Sequence, residues 1–164
     1  SPGHLVVEKL RARMPGLDAV HVPYKGAVEA VNALVGKNLD FLSGLMSSVL
    51  PQVKSGRLRA LAVSGEQRSH LLPDVPTLAE SGFAGFSHVS WGGFYAPAKT
   101  PSGLLAQLRE ALAKVADEPS FKALLDSTGS ELRPVESPQA FEAYLKSGLV
   151  AETALMAKLG LKIQ

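Results

Sequence analysis

The chain has 164 residues, 46% of them hydrophobic and 20% charged, a balance that suits one packed domain and excludes a disordered or fibrous chain. Seventeen Lys and Arg against 15 Asp and Glu leave a formal charge of +2 dispersed along the chain, so no basic face offers itself to nucleic acid. The absence of cysteine removes disulfides, thiolate catalysis and cysteine zinc sites, and no apolar run nears the roughly 18 residues of a membrane helix.

Ser1-Pro2 reads as an N-cap followed by a first helical residue, and Leu5, Val6, Lys9, Leu10 and Met14 form a helical stripe that ends near Pro15-Gly16. Residues 19–22 read as a short apolar strand. Residues 27–35 read as a helix with Val28, Val31, Leu34 and Val35 on one side, and 39–42 as the next strand. A helix over 47–55 closed by Gly56 and a strand over 58–63 complete a β-α-β-α-β series. Such units make right-handed parallel crossovers, and ligands gather at the carboxyl ends of their strands.

Residues 65–86 form a linker with one short helix, set by the capping box Thr77-x-x-Glu80 and stopped by Gly82. An aromatic strand follows over 88–96. Thr100-Pro101 opens a long helix with Leu104, Leu105, Leu108, Leu112 and Val115 on one face. Pro119 opens another helix to about residue 127, 131–135 is a short strand, and Ser137-Pro138 caps a last helix that turns Phe141, Leu145 and Leu155 inward. The fold class is therefore α/β, in two regions, 1–86 and 87–164.

The stretch His21-Val22-Pro23-Tyr24-Lys25-Gly26 carries a strand into a helix start. Helix starts present unpaired N–H groups and partial positive charge, so carboxylates and phosphates are the natural guests. In this reading of Tyr24 to Ala27, Tyr24 packs beside the ligand, Lys25 adds charge, and Gly26 lets the backbone approach; the bland reading is a loop with a solvated lysine and a tyrosine that shields the core. Ser1, Gly3 and His4 offer a hydroxyl and two N–H groups at the first helix start, where an ordinary cap is the alternative. Ser43 and Gly44 follow the strand 39–42 at its carboxyl end, and a plain strand-to-helix turn explains them equally well.

Catalytic readings find little support. His4, His21, His70 and His88 are scattered without metal-ligand spacing, Ser1 and His4 lie one helical turn apart with no G-x-S-x-G elbow, and there is neither a P-loop nor a G-x-G-x-x-G. No cofactor, metal or enzymatic activity is expected. Trp91, the lone tryptophan, reads as packing in the core or between lobes, beside Gly92-Gly93.

Five segments in order, Ser1-Pro2-Gly3-His4-Leu5, His21-Val22-Pro23-Tyr24-Lys25-Gly26, Arg59-Ala60-Leu61-Ala62-Val63-Ser64, Leu72 through Gly82, and Ser90-Trp91-Gly92-Gly93-Phe94-Tyr95-Ala96-Pro97-Ala98-Lys99-Thr100-Pro101, resemble the Bug (TctC-like) family over essentially the whole chain. These are periplasmic solute-binding receptors of tripartite tricarboxylate transporters. The resemblance implies a periplasmic binding protein type II-like fold, with 1–86 as the second, ligand-binding lobe and 87–164 as the crossover strand and C-terminal part of the first lobe. It implies export, with a signal peptide and the remainder of the first lobe upstream of Ser1.

The same resemblance puts the helix start at Ser1 into the anion pocket and implies delivery of a small carboxylate to membrane permease subunits. Family members commonly have a second glycine where this chain has Ala27, which disfavours close backbone contact there, and a bulkier aromatic followed by a polar or acidic residue at Ser43-Gly44, so the pocket floor at those two residues is expected to be roomier or less polar. Because a loop of the first lobe completes the family's site, the fragment is expected to bind carboxylates weakly or not at all, and to cover its orphaned apolar faces by self-association. The alternative is the effector-binding domain of a LysR-type transcription regulator, which is also two-lobed and senses small acids.

Overall fold

A computed structural model describes residues 2–132, 137–158 and 160. The chain divides into two compact units, Ser1–Glu131 and Leu132–Gln164.

Five helices occupy the first unit: α1 (Pro2–Arg11), α2 (Ala27–Val35), α3 (Met46–Lys54), α4 (Ser102–Asp117) and α5 (Pro119–Thr128). Helix α1 begins on Pro2, whose fixed φ suits a first turn, and ends with Lys9 and Arg11 against its negative pole. Its buried contact is Val6, while α2 buries Ala30 and Val31 and α3 buries Leu50. Helix α2 packs on α3, α3 on α5, and α5 on α4. Pro51 lies inside α3, where it removes one helical donor, and the helix stops soon after at Gly56, with φ +71°. Helix α5 starts on Pro119 and ends on Gly129 in the left-handed conformation, with the Ser130 N–H donating back to the Leu125 carbonyl at 2.9 Å.

The leucine stripe of α4 is only partly covered. Leu105 and Leu112 are half-buried, but Leu104, Leu108 and Val115 are exposed, since α5 shields one side of the stripe and leaves the rest to solvent.

The expected strands do not form ladders among the described residues. Their single β-bridge is parallel and joins Val63 to Thr77, through Val63 N–H to Pro76 O and Leu78 N–H to Val63 O, both 2.9 Å. A strand is completed by a neighbour about 4.8 Å away. Among the described residues, 19–22 and 39–42 have the composition of strands but no such neighbour, 88–96 meets one only at His88, and Val20 stays 85% exposed. The β-α-β-α-β series is therefore present as helices and their connecting segments without hydrogen-bonded ladders. Of the expected strand 131–135, residues 133–135 lie outside the described residues.

Residues 63–64 are the crossing point of the first unit. Val63 pairs with 76–78 on one side, while the Ser64 carbonyl accepts the His88 N–H and the Ser64 hydroxyl donates to the His88 carbonyl, each at 2.8 Å. The capping box at Thr77 forms as expected: Thr77 N–H donates to Glu80 Oε2 at 2.7 Å and Glu80 N–H to Thr77 Oγ1 at 3.1 Å. It closes a single turn instead of a short helix, because Gly82 at φ +102° diverts the chain at once. Phe86 is buried beside Phe83, and Arg13, in the turn after α1, stands 5.3 Å over the Phe86 ring while donating to the Ala84 carbonyl. Lys9 Nζ reaches His88 Nδ1 at 3.0 Å, a second tie between α1 and this loop.

The second unit contains α6 (Pro138–Lys158), capped as expected by Ser137, whose hydroxyl accepts the Ala140 N–H at 3.1 Å. Phe141, Leu145 and Leu155 are half-buried.

Candidate functional site

The start of α1 is the meeting point. Gly3 is pressed so closely against Ser43 that a Cβ would run into the Ser43 carbonyl oxygen, which puts the segment leading to α3 beside the first turn of α1. One residue on, the His4 imidazole lies flat on that of His21, ring centroids 4.0 Å apart and planes within 7°. The segment leading to α2 thus reaches the same helix end. Ser1 lies outside the described residues.

Charge around this meeting point is layered. His4 Nε2 is 3.5 Å from Glu8 Oε1, and Glu8 also holds Arg11 Nη1 at 3.0 Å. Burial pulls the His21 imidazole below its ordinary value, the nearby His4 and the chain's amino terminus push the same way, and Glu8 opposes them.

Tyr24, Lys25, Gly26 and Ala27 connect to the cluster through His21, which precedes them in the same segment. All four are exposed. The Lys25 N–H donates to Glu29 Oε2 at 3.1 Å, so a carboxylate from within α2 already sits at the start of that helix. The Lys25 ammonium has no partner among the described residues. Gly26 is the N-cap of α2 in extended conformation, no side chain caps it, and nothing lies within 4 Å of a Cβ placed there. Ala27 is the first residue of α2.

Gly44 packs at the turn before α3, with Val49 Cγ1 3.1 Å and Leu42 Cδ2 3.5 Å from a Cβ placed on it. Leu45, the N-cap of α3, likewise makes no side-chain cap bond. The starts of α2 and α3 therefore keep donors that no N-cap side chain occupies. Trp91 is 45% exposed, flanked by Phe94 at 77% and Tyr95 at 70%, so its segment is not core within the first unit. Among the described residues no group of three His, Asp or Glu side chains is placed to hold a metal ion.

Sequence reasoning missed the parts played by His21 and Glu29. Glu29 stands three residues after Gly26, the spacing at which a glutamate reaches back over a helix start, and that signal was readable. No local pattern pairs His21 with His4, because their contact depends on how α1 and the following segment fold back.

The model of the TctC family, the tripartite tricarboxylate transporter family receptor, matches residues 1–161. A UPF0065 protein in the gbd 5' region of Cupriavidus necator is 34% identical over 98% of this chain and 50% of its own length. Protein BugT of Bordetella pertussis is 35% identical over 75% of this chain and 39% of its own. Among solved structures, the periplasmic binding protein BugD aligns at a TM-score of 0.90 with 32% identity, over 99% of this chain and 54% of BugD. Rpa4515 of R. palustris, solved with adipate, aligns at 0.89 with 27% identity, over 98% of this chain and 53% of its own. MatC of Rhodopseudomonas palustris, solved with bound malate, aligns at 0.83 with 25% identity, over 93% and 52%. The chain spans about half the length of the relatives it matches, and its fold is part of an α/β periplasmic-binding-protein fold.

Proposed function

The chain belongs to the TctC family of tripartite tricarboxylate transporter receptors, and on that premise we propose that it is part of an extracytoplasmic receptor that captures a small carboxylate and delivers it to the membrane permease. The observation that carries this reading is the convergence at the α1 start, where Gly3 meets Ser43 and His4 meets His21. It gathers the approaches to two further helix starts around one anion-seeking helix end. The adipate with Rpa4515 and the malate bound to MatC support a carboxylate guest.

In this proposal 1–86 belongs to the second, ligand-binding lobe, and 87–164 crosses back to the first. Gly3, His4, Ser43 and Gly44 line one side of the anion cradle with Ser1. Tyr24, Lys25, Gly26 and Ala27 line the other, with the unpartnered Lys25 ammonium free to pair with a ligand oxygen. Family and fold are those of solute-binding proteins, and the receptor is proposed to bind without turnover and to reside in the periplasm. The transport-receptor relatives lend no support to an effector domain of a LysR-type regulator.

Calorimetry with malate and adipate on the longer protein tests the reading. A charged hydrogen bond contributes about 1.5–3 kcal/mol, so Lys25→Met is expected to weaken carboxylate binding by roughly ten- to a hundredfold. Unchanged affinity in that variant would remove Lys25 from the site, and no heat with any small acid would end the carboxylate reading.

A further inference from the structure

The stacked imidazoles of His4 and His21 are absorbed by neither the helix caps nor the core. Both belong to the cluster at the α1 start, His21 is exposed, and their parallel rings stand at van der Waals distance. Two imidazolium cations at that separation repel each other, so the cluster without an anion favours leaving one ring neutral. Glu8 Oε1, 3.5 Å from His4 Nε2, puts a carboxylate on the His4 side of the stack. Arg11 takes up part of that carboxylate at 3.0 Å. On the segment of His21 itself, Asp18 precedes it and Lys25 follows it. The ring with the weaker hold on a proton is His21, the one that burial and its neighbour disfavour as a cation.

We propose that His21 makes anion capture at the α1 start proton-linked, so that a carboxylate arriving there is bound together with one proton taken up on the His21 imidazole. The proposal rests on the carboxylate reading above. A negative oxygen near the stack offsets the repulsion between the two rings, and the second protonation then becomes favourable. By reciprocity, whatever the anion does to the proton affinity of His21, the proton does to the affinity for the anion. Carboxylate affinity therefore rises as pH falls through the His21 transition, by up to about tenfold per pH unit for one proton. The rise ends below the ligand-free His21 midpoint, where the ring is protonated without the anion, and affinity falls again where the guest's own carboxyls protonate. A tight-binding form under acid conditions and a releasing form near neutrality follow from one ring.

The test is an NMR titration of the histidine ring carbons and the backbone amides of the longer protein across about pH 5 to 8, the range in which histidine titrates. It is run alone, with adipate or malate at tens of millimolar, and with sodium chloride at matched ionic strength. The inference expects the His21 midpoint to lie below that of a free histidine, to rise in His4→Phe, and to rise by about one pH unit with either dicarboxylate but not with chloride. Dicarboxylate shifts at the Gly3, Gly26 and Ser43 amides with an unmoved His21 midpoint would overturn the proton linkage and leave the carboxylate reading standing. Amides that stay still with both acids would sink the two together. A His21 midpoint that ignores His4→Phe would show that the stack does not couple the rings, and the inference fails on that arm without any ligand.

Discussion

Gly3 and Ser43 touch through their backbones: the Gly3 α-carbon sits against the Ser43 carbonyl, and any side chain at position 3 would occupy the space of that oxygen. The contact locks the first turn of α1 to the segment that enters α3. Gly3→Ala forces them apart and is expected to cost about 1–3 kcal/mol, the range for overpacking a tight contact. Thermal unfolding measures the loss, and amide shifts confined to Gly3, Ser43 and Gly44 would localise it. An unchanged melting temperature would mean that the two segments are not held together.

Thr77 is 2% exposed and its hydroxyl accepts the Glu80 N–H. Thr77→Val keeps the shape and deletes the acceptor, so a loss of about 1 kcal/mol is expected, read as a fall in Tm of about 2–4 °C. A valine variant as stable as the parent would mean that the capping box contributes nothing.

The same box carries a pH dependence. The hydrogen bond from Arg68 and then the Thr77 N–H hold the Glu80 carboxyl below its ordinary value of 4.5. A group depressed on folding stabilises the fold above its unfolded value, and that contribution fades as pH falls through the lower folded value. Glu80→Gln is therefore expected to flatten the acid side of a stability profile below about pH 4.5 and to leave its shape near neutrality alone. Both partners are solvent-exposed, so the difference is small and shrinks with added salt.

Gly129 ends α5 at φ +69°, and a Cβ there would stand 2.7 Å from Met46 Cγ and 3.3 Å from Leu71 Cδ1. Gly129→Ala meets a left-handed backbone penalty of about 1–2 kcal/mol and crowds α5 against α3. Met46 is a flexible side chain, so part of the crowding relaxes. In a double-mutant cycle, Met46→Ala is expected to cost less in the Gly129→Ala background than in the parent. Strict additivity would show that the helix end and Met46 are not in contact.

Phe94 and Tyr95 are largely exposed and lie in one apolar segment with Trp91 and Val89. At high concentration this chain is expected to self-associate through that segment, and Phe94→Lys to suppress the association. Light scattering across a dilution series checks this; a monodisperse monomer at every concentration would count against it.

Much of the helical half of the molecule was readable. Helix α2 begins and ends at the residues its apolar spacing indicates, and α5 starts on Pro119 as expected and ends at Thr128, within one residue of the expected 127. Helices close their hydrogen bonds locally, so local sequence suffices for them. The segments around Val20, Phe41 and Phe94 have strand composition, but a ladder depends on what lies alongside, which no short window of sequence contains. The site divides in the same way. Its helix starts were legible from Pro2, Gly26 and the turn at Ser43-Gly44, whereas the stack of His4 on His21 joins residues that only the fold brings together.

Glu29 leans back over the start of its own helix and holds the Lys25 amide. An acid that seeks that amide from solution meets a resident rival tethered a few bonds away, present at the millimolar-scale local concentration that short linkages create. In the proposed receptor, a guest at that amide must first displace Glu29, a cost that a second anionic group paired elsewhere in the site would offset.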